Sequence, residues 1–213
     1  MLPIALLLAA AWGIYALGAA ELGSDVRPSG YQAPALIRNQ YLRVEVGDIA
    51  TLPRLNPITV WCAIFRPSDA QTSSSAQTQL LGQASRLLNS RRKAPSSQWR
   101  HHAAGIAGMV IVSRHWSRDQ VIDTLLDQSW FGRDAKGIES AAVAYYGVPA
   151  AELRPEESLA LITLMRGPSY YDPSCRPERF AHRYWRAVAK NKLDTGPQSL
   201  VRATNRLRPI PCQ

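Results

Sequence analysis

The stretch from Ser117 to Gly147 carries the most restrictive pattern in the chain, because it marks the start and the end of two successive helices. Ser117 and Gln120 have the spacing of a capping box, in which each side chain closes a backbone donor that a first helical turn leaves open. Val121, Ile122, Leu125 and Leu126 follow at helical spacing and predict one buried face. Trp130-Phe131-Gly132 predicts a break. Ile138 to Tyr146 reads as a second, alanine-rich helix, and Gly147 stands where a left-handed residue closes a helix.

The flanking segments keep the helical period. Pro155 suits a first helical turn, with Glu156 and Glu157 at the positive end of the dipole, an apolar run from Leu159 to Met165, and Gly167-Pro168 as the stop. A last helix is expected from about Glu178 to Lys192. It should bury Phe180, Tyr184 and Val188 and carry Arg179, Arg183, Arg186 and Lys190 as a basic stripe. Upstream, Gln79 to Leu88 has helical spacing, and Trp99 to Val112 is a softer helix whose glycines cost about 1 kcal/mol each relative to alanine. Residues 79–192 therefore predict a compact all-α body. Outside it, Tyr41 to Val46 alternates apolar and charged residues and reads as a short strand. Ile58 to Phe65 fits either a strand or a buried helix.

The N-terminus limits the setting. Residues 1–20 contain no charged side chain. At about 1.5 Å per residue such a helix crosses a hydrocarbon core of roughly 30 Å. An uncleaved anchor fits better than a signal peptide, which normally starts with Lys or Arg, although Gly18-Ala19-Ala20 offers a place for a cut. The expected organisation is an anchor or signal segment (1–22), a Gly/Pro/Ser-punctuated connector (23–57), a folded domain (58–192) and a basic tail (193–213), with the body outside the cytoplasm. The formal net charge of +9 asks for an anionic partner. Beside a membrane segment, that points to lipid or phosphate-bearing substrates and away from nucleic acid. Cys62, Cys175 and Cys212 form no CxxC pair, so no zinc site is expected. An oxidising compartment would allow one disulfide and one free thiol among them, with the pairing open, and unpaired thiols are the alternative. Adjacent His101 and His102 diverge on a helix and read as surface residues; no metal or cofactor is expected.

Three blocks make Ser117 to Pro173 resemble the peptidoglycan glycosyltransferases of family 51, the lysozyme-like transglycosylase domains of class A penicillin-binding proteins and of monofunctional enzymes. The family's S-K-x-E-I-L-x-x-Y-L-N is similar to Ser117-Arg-Asp-Gln-Val-Ile-Asp-Thr-Leu-Leu-Asp127. Its F-G-x-G-x-x-G-I-E-A-A-A-x-x-Y-F-G is similar to Phe131-Gly-Arg-Asp-Ala-Lys-Gly-Ile-Glu-Ser-Ala-Ala-Val-Ala-Tyr-Tyr-Gly147. Its L-T-x-x-E-A-A-x-L-A and P-x-x-Y-D-P are similar to Leu153–Ile162 and Pro168–Pro173. The resemblance implies an all-α lysozyme-like domain behind a membrane anchor, single-pass in a bacterial inner membrane, with the body on the periplasmic or extracellular side. It also implies glycosyl transfer on lipid II. There a sugar hydroxyl attacks an anomeric carbon and displaces a lipid pyrophosphate, which requires a carboxylate base and positive charge for the leaving group.

The carboxylates are where the chain departs from the family. The base motif E-D-x-x-F-x-x-H-x-G should follow the apolar run ending at Phe65, and Phe65-Arg66 stands in place of Glu-Asp. The R-K-x-x-E motif falls on His101 to Gly105, so Gly105 replaces the second Glu, and the family's L-E pair becomes Val112-Ser113. No Glu lies between Asp48 and Ile138. Asp69 and Glu139 remain as weak acid candidates, with Glu139 more simply a structural partner to a basic neighbour. Gln83, Arg86, Arg114 and Arg118 are the expected substrate contacts. The chain thus reads as a pseudoenzyme that binds lipid II, peptidoglycan glycan or another cell-wall synthesis protein; a divergent active transglycosylase is the alternative.

Overall fold

The computed structural model describes residues 2–24, 26–47, 49–64, 74–91, 97–192, 196 and 198–210. The described residues are helical with one isolated bridge, Trp130 to Lys136, and no strand. The expected all-α class is what is found. The chain divides into two compact units: residues 1–29 with 49–121, and residues 30–48 with 122–213.

The first unit contains α1 (Leu2–Leu22), α3 (Pro57–Ile64), α4 (Ser74–Ser90), α5 (Gln98–His115) and the first turn of α6 (Arg118–Gln128). Helix α1 packs on α5 and α3, and α4 packs on α5. The contacts depend on small residues. A Cβ at Gly18 would lie 2.1 Å from the Ala103 carbonyl oxygen, so the α1 and α5 backbones meet where neither carries bulk. Along α1, Ala11 and Gly18 form the buried seam, while Leu6, Leu7, Trp12 and Leu17 are exposed. Ala5–Leu22 is long and apolar enough to cross a membrane. On the other side of α5, the Ser85 hydroxyl donates to the Gly105 carbonyl at 2.6 Å and Asn89 Nδ2 to the His101 carbonyl at 3.0 Å. Leu80, Leu81, Ala84, Ala104, Ala107 and Val110 supply the buried apolar surface, at about 25 cal/mol per Å².

The second unit is organised around α8 (Pro155–Leu164), whose residues from Glu156 to Leu164 are all buried. A helix covered all round needs neighbours on every face. They are α2 (Ala35–Tyr41), α7 (Ile138–Tyr146), α9 (Pro168–Tyr171), α10 (Pro177–Asn191) and α11 (Ser199–Thr204). Its polar groups find partners: Gln40 Nε2 donates to the Pro155 carbonyl at 2.8 Å, and Ser158 Oγ donates to Gln40 Oε1 at 2.6 Å.

Three expectations change. Tyr41 to Val46 is not a strand. Helix α2 runs directly into a π-helical turn, Leu42–Val46, and Ile37, Tyr41, Val44 and Glu45 are buried at helical spacing. The alternation from 41 to 46 is too short a window to show a period that begins at Ile37. On α10, Ala187 is buried with Phe180 and Tyr184, while Val188 is only half-buried. The basic residues beyond 193 are not simply a tail: Arg202 Nε pairs with Glu156 at 2.6 Å and Arg206 with buried Glu157 at 3.3 Å. These cations offset two carboxylates at the start of α8, and α11 packs on that helix.

The caps follow the sequence. Ser117 N–H donates to Gln120 Oε1 at 2.8 Å, and Gln120 N–H to Ser117 Oγ at 3.1 Å. Gly147 closes α7 at φ 74°. The break between α6 and α7 is a tight loop with Gly132, Arg133 and Asp134 at φ 81°, 52° and 56°. Asp134 occupies the second glycine position of the family block, and a short polar side chain tolerates that left-handed backbone. Arg133 Nε and Nη2 each meet the Asp172 carboxylate at 3.1 Å, Nη2 reaches Ser174 Oγ at 2.8 Å, and the guanidinium lies 4.0 Å from the Tyr145 ring centroid.

Candidate functional site

The corner between α5 and α6 builds a cationic cleft in the first unit. Helix α5 ends when Trp116 turns extended, its N–H still bonded to the Val112 carbonyl at 3.0 Å. Ser117 then starts α6, so Arg114 and Arg118 leave the backbone on either side of one short turn. Residues 49–56 lie against this corner. Arg118 Nη1 donates to the Ile49 carbonyl at 2.9 Å, Arg114 Nε to the Leu55 carbonyl at 2.7 Å, and Leu55 N–H to Ser113 Oγ at 3.0 Å.

These contacts enclose a cleft of about 420 Å³ lined by Arg54, Ser113, Arg114, Trp116, Arg118 and Asp119, among others. Among the described residues, the lining brings together three guanidiniums and one carboxylate. Asp119 is committed to Arg118, whose Nε and Nη2 both lie 2.9 Å from its Oδ1. Each guanidinium has five N–H donors, so the backbone bonds leave others free. Planar donor forks of this kind match phosphate oxygens bidentately. Such a cleft can hold a pyrophosphate. Moving a proton requires a base, and position 113, where the family block has Glu, supplies a serine hydroxyl that already bonds two backbone groups.

Of the expected site residues, the structure brings Arg114 and Arg118 together in this cleft. Gln83 and Arg86 sit on α4, half-buried and exposed respectively, and do not line it. Gly105 lies on the α4 side of α5, where an added Cβ would meet only Asn89 Nδ2, at 3.6 Å. Phe65 and Asp69 fall outside the described residues. Glu139 belongs to the second unit, in the first turn of α7. It is exposed, and its Oε1 accepts from the Ala150 N–H at 3.2 Å, so its partner is a backbone amide and not the basic neighbour expected. Burial, helped by the nearby carboxylates of Glu139, Asp123 and Asp127, pushes the Tyr31 phenol up to about 12.

Arg54 was not legible as a site residue. It lies in an irregular segment between Pro53 and Pro57, where no period assigns a side chain to a face. Cys175 is disulfide-bonded. No group of His, Cys, Asp and Glu suited to a metal occurs among the described residues.

Comparison with known proteins agrees with the blocks. The transglycosylase family model matches residues 56–192. Penicillin-binding protein 1A of Mycobacterium tuberculosis is 38% identical over 84 residues, 39% of this chain and 10% of that protein. Penicillin-binding protein 1A of Mycolicibacterium smegmatis is 38% identical over 88 residues, 41% of this chain and 11% of that protein. The biosynthetic peptidoglycan transglycosylase of an Azoarcus species is 31% identical over 88 residues, 41% of this chain and 38% of that protein. The aligned parts thus span well under two thirds of each relative's own length. With the family match covering more than half of its residues, the chain belongs to the transglycosylase family, the peptidoglycan glycosyltransferases of family 51.

Proposed function

We propose that this chain is a membrane-anchored transglycosylase-family protein of cell-wall biogenesis that has lost polymerase chemistry and binds lipid II through its pyrophosphate. Glycan strand and other cell-wall synthesis proteins are further partners under the same reading. The carrying observation is the arginine cleft: three guanidiniums and, among the described residues that line it, no carboxylate other than Asp119, which Arg118 occupies. Gly105 and Ser113 at two acidic positions of the family pattern support the loss of catalysis. Helix α1 supports the anchor. The Cys175 disulfide supports a body on the periplasmic or extracellular side, since disulfides persist in oxidising compartments.

Lipid II binding by the full chain in nanodiscs tests this reading. Arg54 makes no hydrogen bond or ion pair with the described residues, so Arg54→Ala should leave the melting temperature unchanged and weaken lipid II binding about tenfold, the scale of one charge-assisted phosphate contact. Equal binding by wild type and Arg54→Ala would remove the cleft from the account.

A further inference from the structure

Residues 49–56 bring Arg54 to the arginine cleft, yet they form an irregular segment ahead of α3. Such a segment has no hydrogen-bond ladder of its own, so its path depends on bonds from its neighbours. One of these comes from Ser113, which lines the cleft and is only 5% exposed. We propose that Ser113 is a positioning residue for the anion bound in this cleft: its hydroxyl holds the Leu55 amide and thereby aims Arg54 at the pyrophosphate. The inference rests on the pyrophosphate reading of the cleft and adds to it the residue that sets the direction of one guanidinium.

A hydroxyl is the group this place requires. Ser113 Oγ donates to the Val110 carbonyl at 2.8 Å, within α5, and accepts from the Leu55 N–H at 3.0 Å. The first bond fixes the hydroxyl, and the second uses a lone pair that remains. Alanine does neither. An ionised carboxylate, the residue type of the family block at this position, only accepts. Beside three guanidiniums it would also take up donors that phosphate oxygens need. The next residue of α5 completes the clamp: Arg114 Nε donates to the Leu55 carbonyl at 2.7 Å. Consecutive residues of one helix therefore hold both polar groups of the Leu55 backbone, directly after Arg54.

The ends of the segment are tied separately. Upstream, Arg118 Nη1 donates to the Ile49 carbonyl at 2.9 Å and Gln77 Nε2, from α4, to the Thr51 carbonyl at 3.0 Å. Downstream, Asn56 and Thr59 close the start of α3: the Thr59 N–H donates to Asn56 Oδ1 at 2.8 Å and the Asn56 N–H to Thr59 Oγ1 at 3.0 Å. Between these ties, the Leu55 clamp governs the backbone that carries Arg54. The Arg54 side chain makes no hydrogen bond or ion pair with the described residues, so its direction comes from that backbone. A guanidinium held in this way loses less conformational freedom when an anion arrives.

The test is calorimetric titration of the full chain, in detergent, with inorganic pyrophosphate as the probe. Wild type should bind it, and Arg54→Ala should weaken binding about tenfold. Ser113→Ala should weaken it about fivefold, and Ser113→Thr, which keeps a hydroxyl, should stay within about twofold of wild type. The double variant Arg54→Ala/Ser113→Ala should bind within about twofold of Arg54→Ala alone, because Ser113 acts through Arg54. Ser85→Ala is the stability control. It removes one buried hydroxyl bond from the same unit, to the Gly105 carbonyl at 2.6 Å, and Ser85 does not line the cleft. It should lower the melting temperature about as much as Ser113→Ala and leave binding unchanged. Full binding by Ser113→Ala while Arg54→Ala binds weakly, or losses that multiply in the double variant, would overturn the positioning role and leave the cleft reading standing. Absence of pyrophosphate binding by wild type would overturn both.

Discussion

The two units keep different things. The second unit carries the family blocks from Phe131 onward, and several retained residues there have structural tasks. Gly147 takes the left-handed C-cap of α7, Tyr145 stacks under Arg133, and Asp172 anchors the turn before α10. The first unit carries the positions where the family places its acids, and those described hold glycine and serine. Its packing nevertheless remains tight: a Cβ at Gly108 would fall 2.6 Å from Ser85 Oγ. Residues that close helices or fill buried space are costly to change, and carboxylates on a cleft wall are not.

The largest test of that contrast is at the buried pair of the second unit. Arg133→Ala strands the Asp172 carboxylate and should cost about 3–5 kcal/mol in chemical denaturation. A cost under 1 kcal/mol would mean that the pair is not what holds the second unit's loops together. Next comes alkaline pH. Burial pushes Tyr184 and Tyr31 up to about 12 and raises Tyr41, Tyr145 and Tyr146, all in the second unit. Unfolded tyrosine ionises near 10. This contribution is full below pH 10 and is lost as the pH rises from 10 towards 12. Phenolate absorbance and the denaturant midpoint should therefore change together over that window. Ionisation completed near pH 10 without unfolding would contradict the burial of these rings.

Smaller effects belong to the first unit. Ser117→Ala removes one half of the capping box and should cost about 1 kcal/mol, read as a shift in denaturation midpoint. Smallest is Gly105→Glu, which restores the family's second acid. An added Cβ there meets only Asn89 Nδ2, at 3.6 Å, and replacing a mid-helix glycine should make the protein at most about 1 kcal/mol more stable. Under the proposed binding-only reading, the change should not produce glycan polymerisation. A Gly105→Glu protein that unfolds would show that the α4–α5 contact has no room for the lost side chain.

Much of the fold is legible in the sequence because caps and periods are local. Ser117 and Gln120 are three residues apart, and Gly147 follows its helix directly. Arg133 and Asp172 are 39 residues apart, and no local pattern joins them. Longer separations, 46 and 49 residues, hide the pairing of Arg202 with Glu156 and of Arg206 with Glu157, which makes packed structure of what composition describes as a basic tail. Part of the basic stripe on α10 has a similar explanation. Arg183 pairs with Glu45 and bonds the Thr163 carbonyl, and Lys190 bonds the Val44 carbonyl, so these cations serve packing before any ligand. At the arginine cleft, Arg114 precedes and Arg118 belongs to the block that starts at Ser117, so both could be named from it, whereas Arg54 required the folded path of an irregular segment.

The central claim is that this transglycosylase-family chain binds without polymerising. Its most direct test is the incubation of the purified full chain with labelled lipid II in detergent, followed by electrophoresis of the products. The account predicts that lipid II is retained by the protein and that no glycan ladder forms, at any protein concentration that saturates binding. A ladder of polymerised strands, abolished by Asp69→Asn or Glu139→Gln, would contradict it and identify the base.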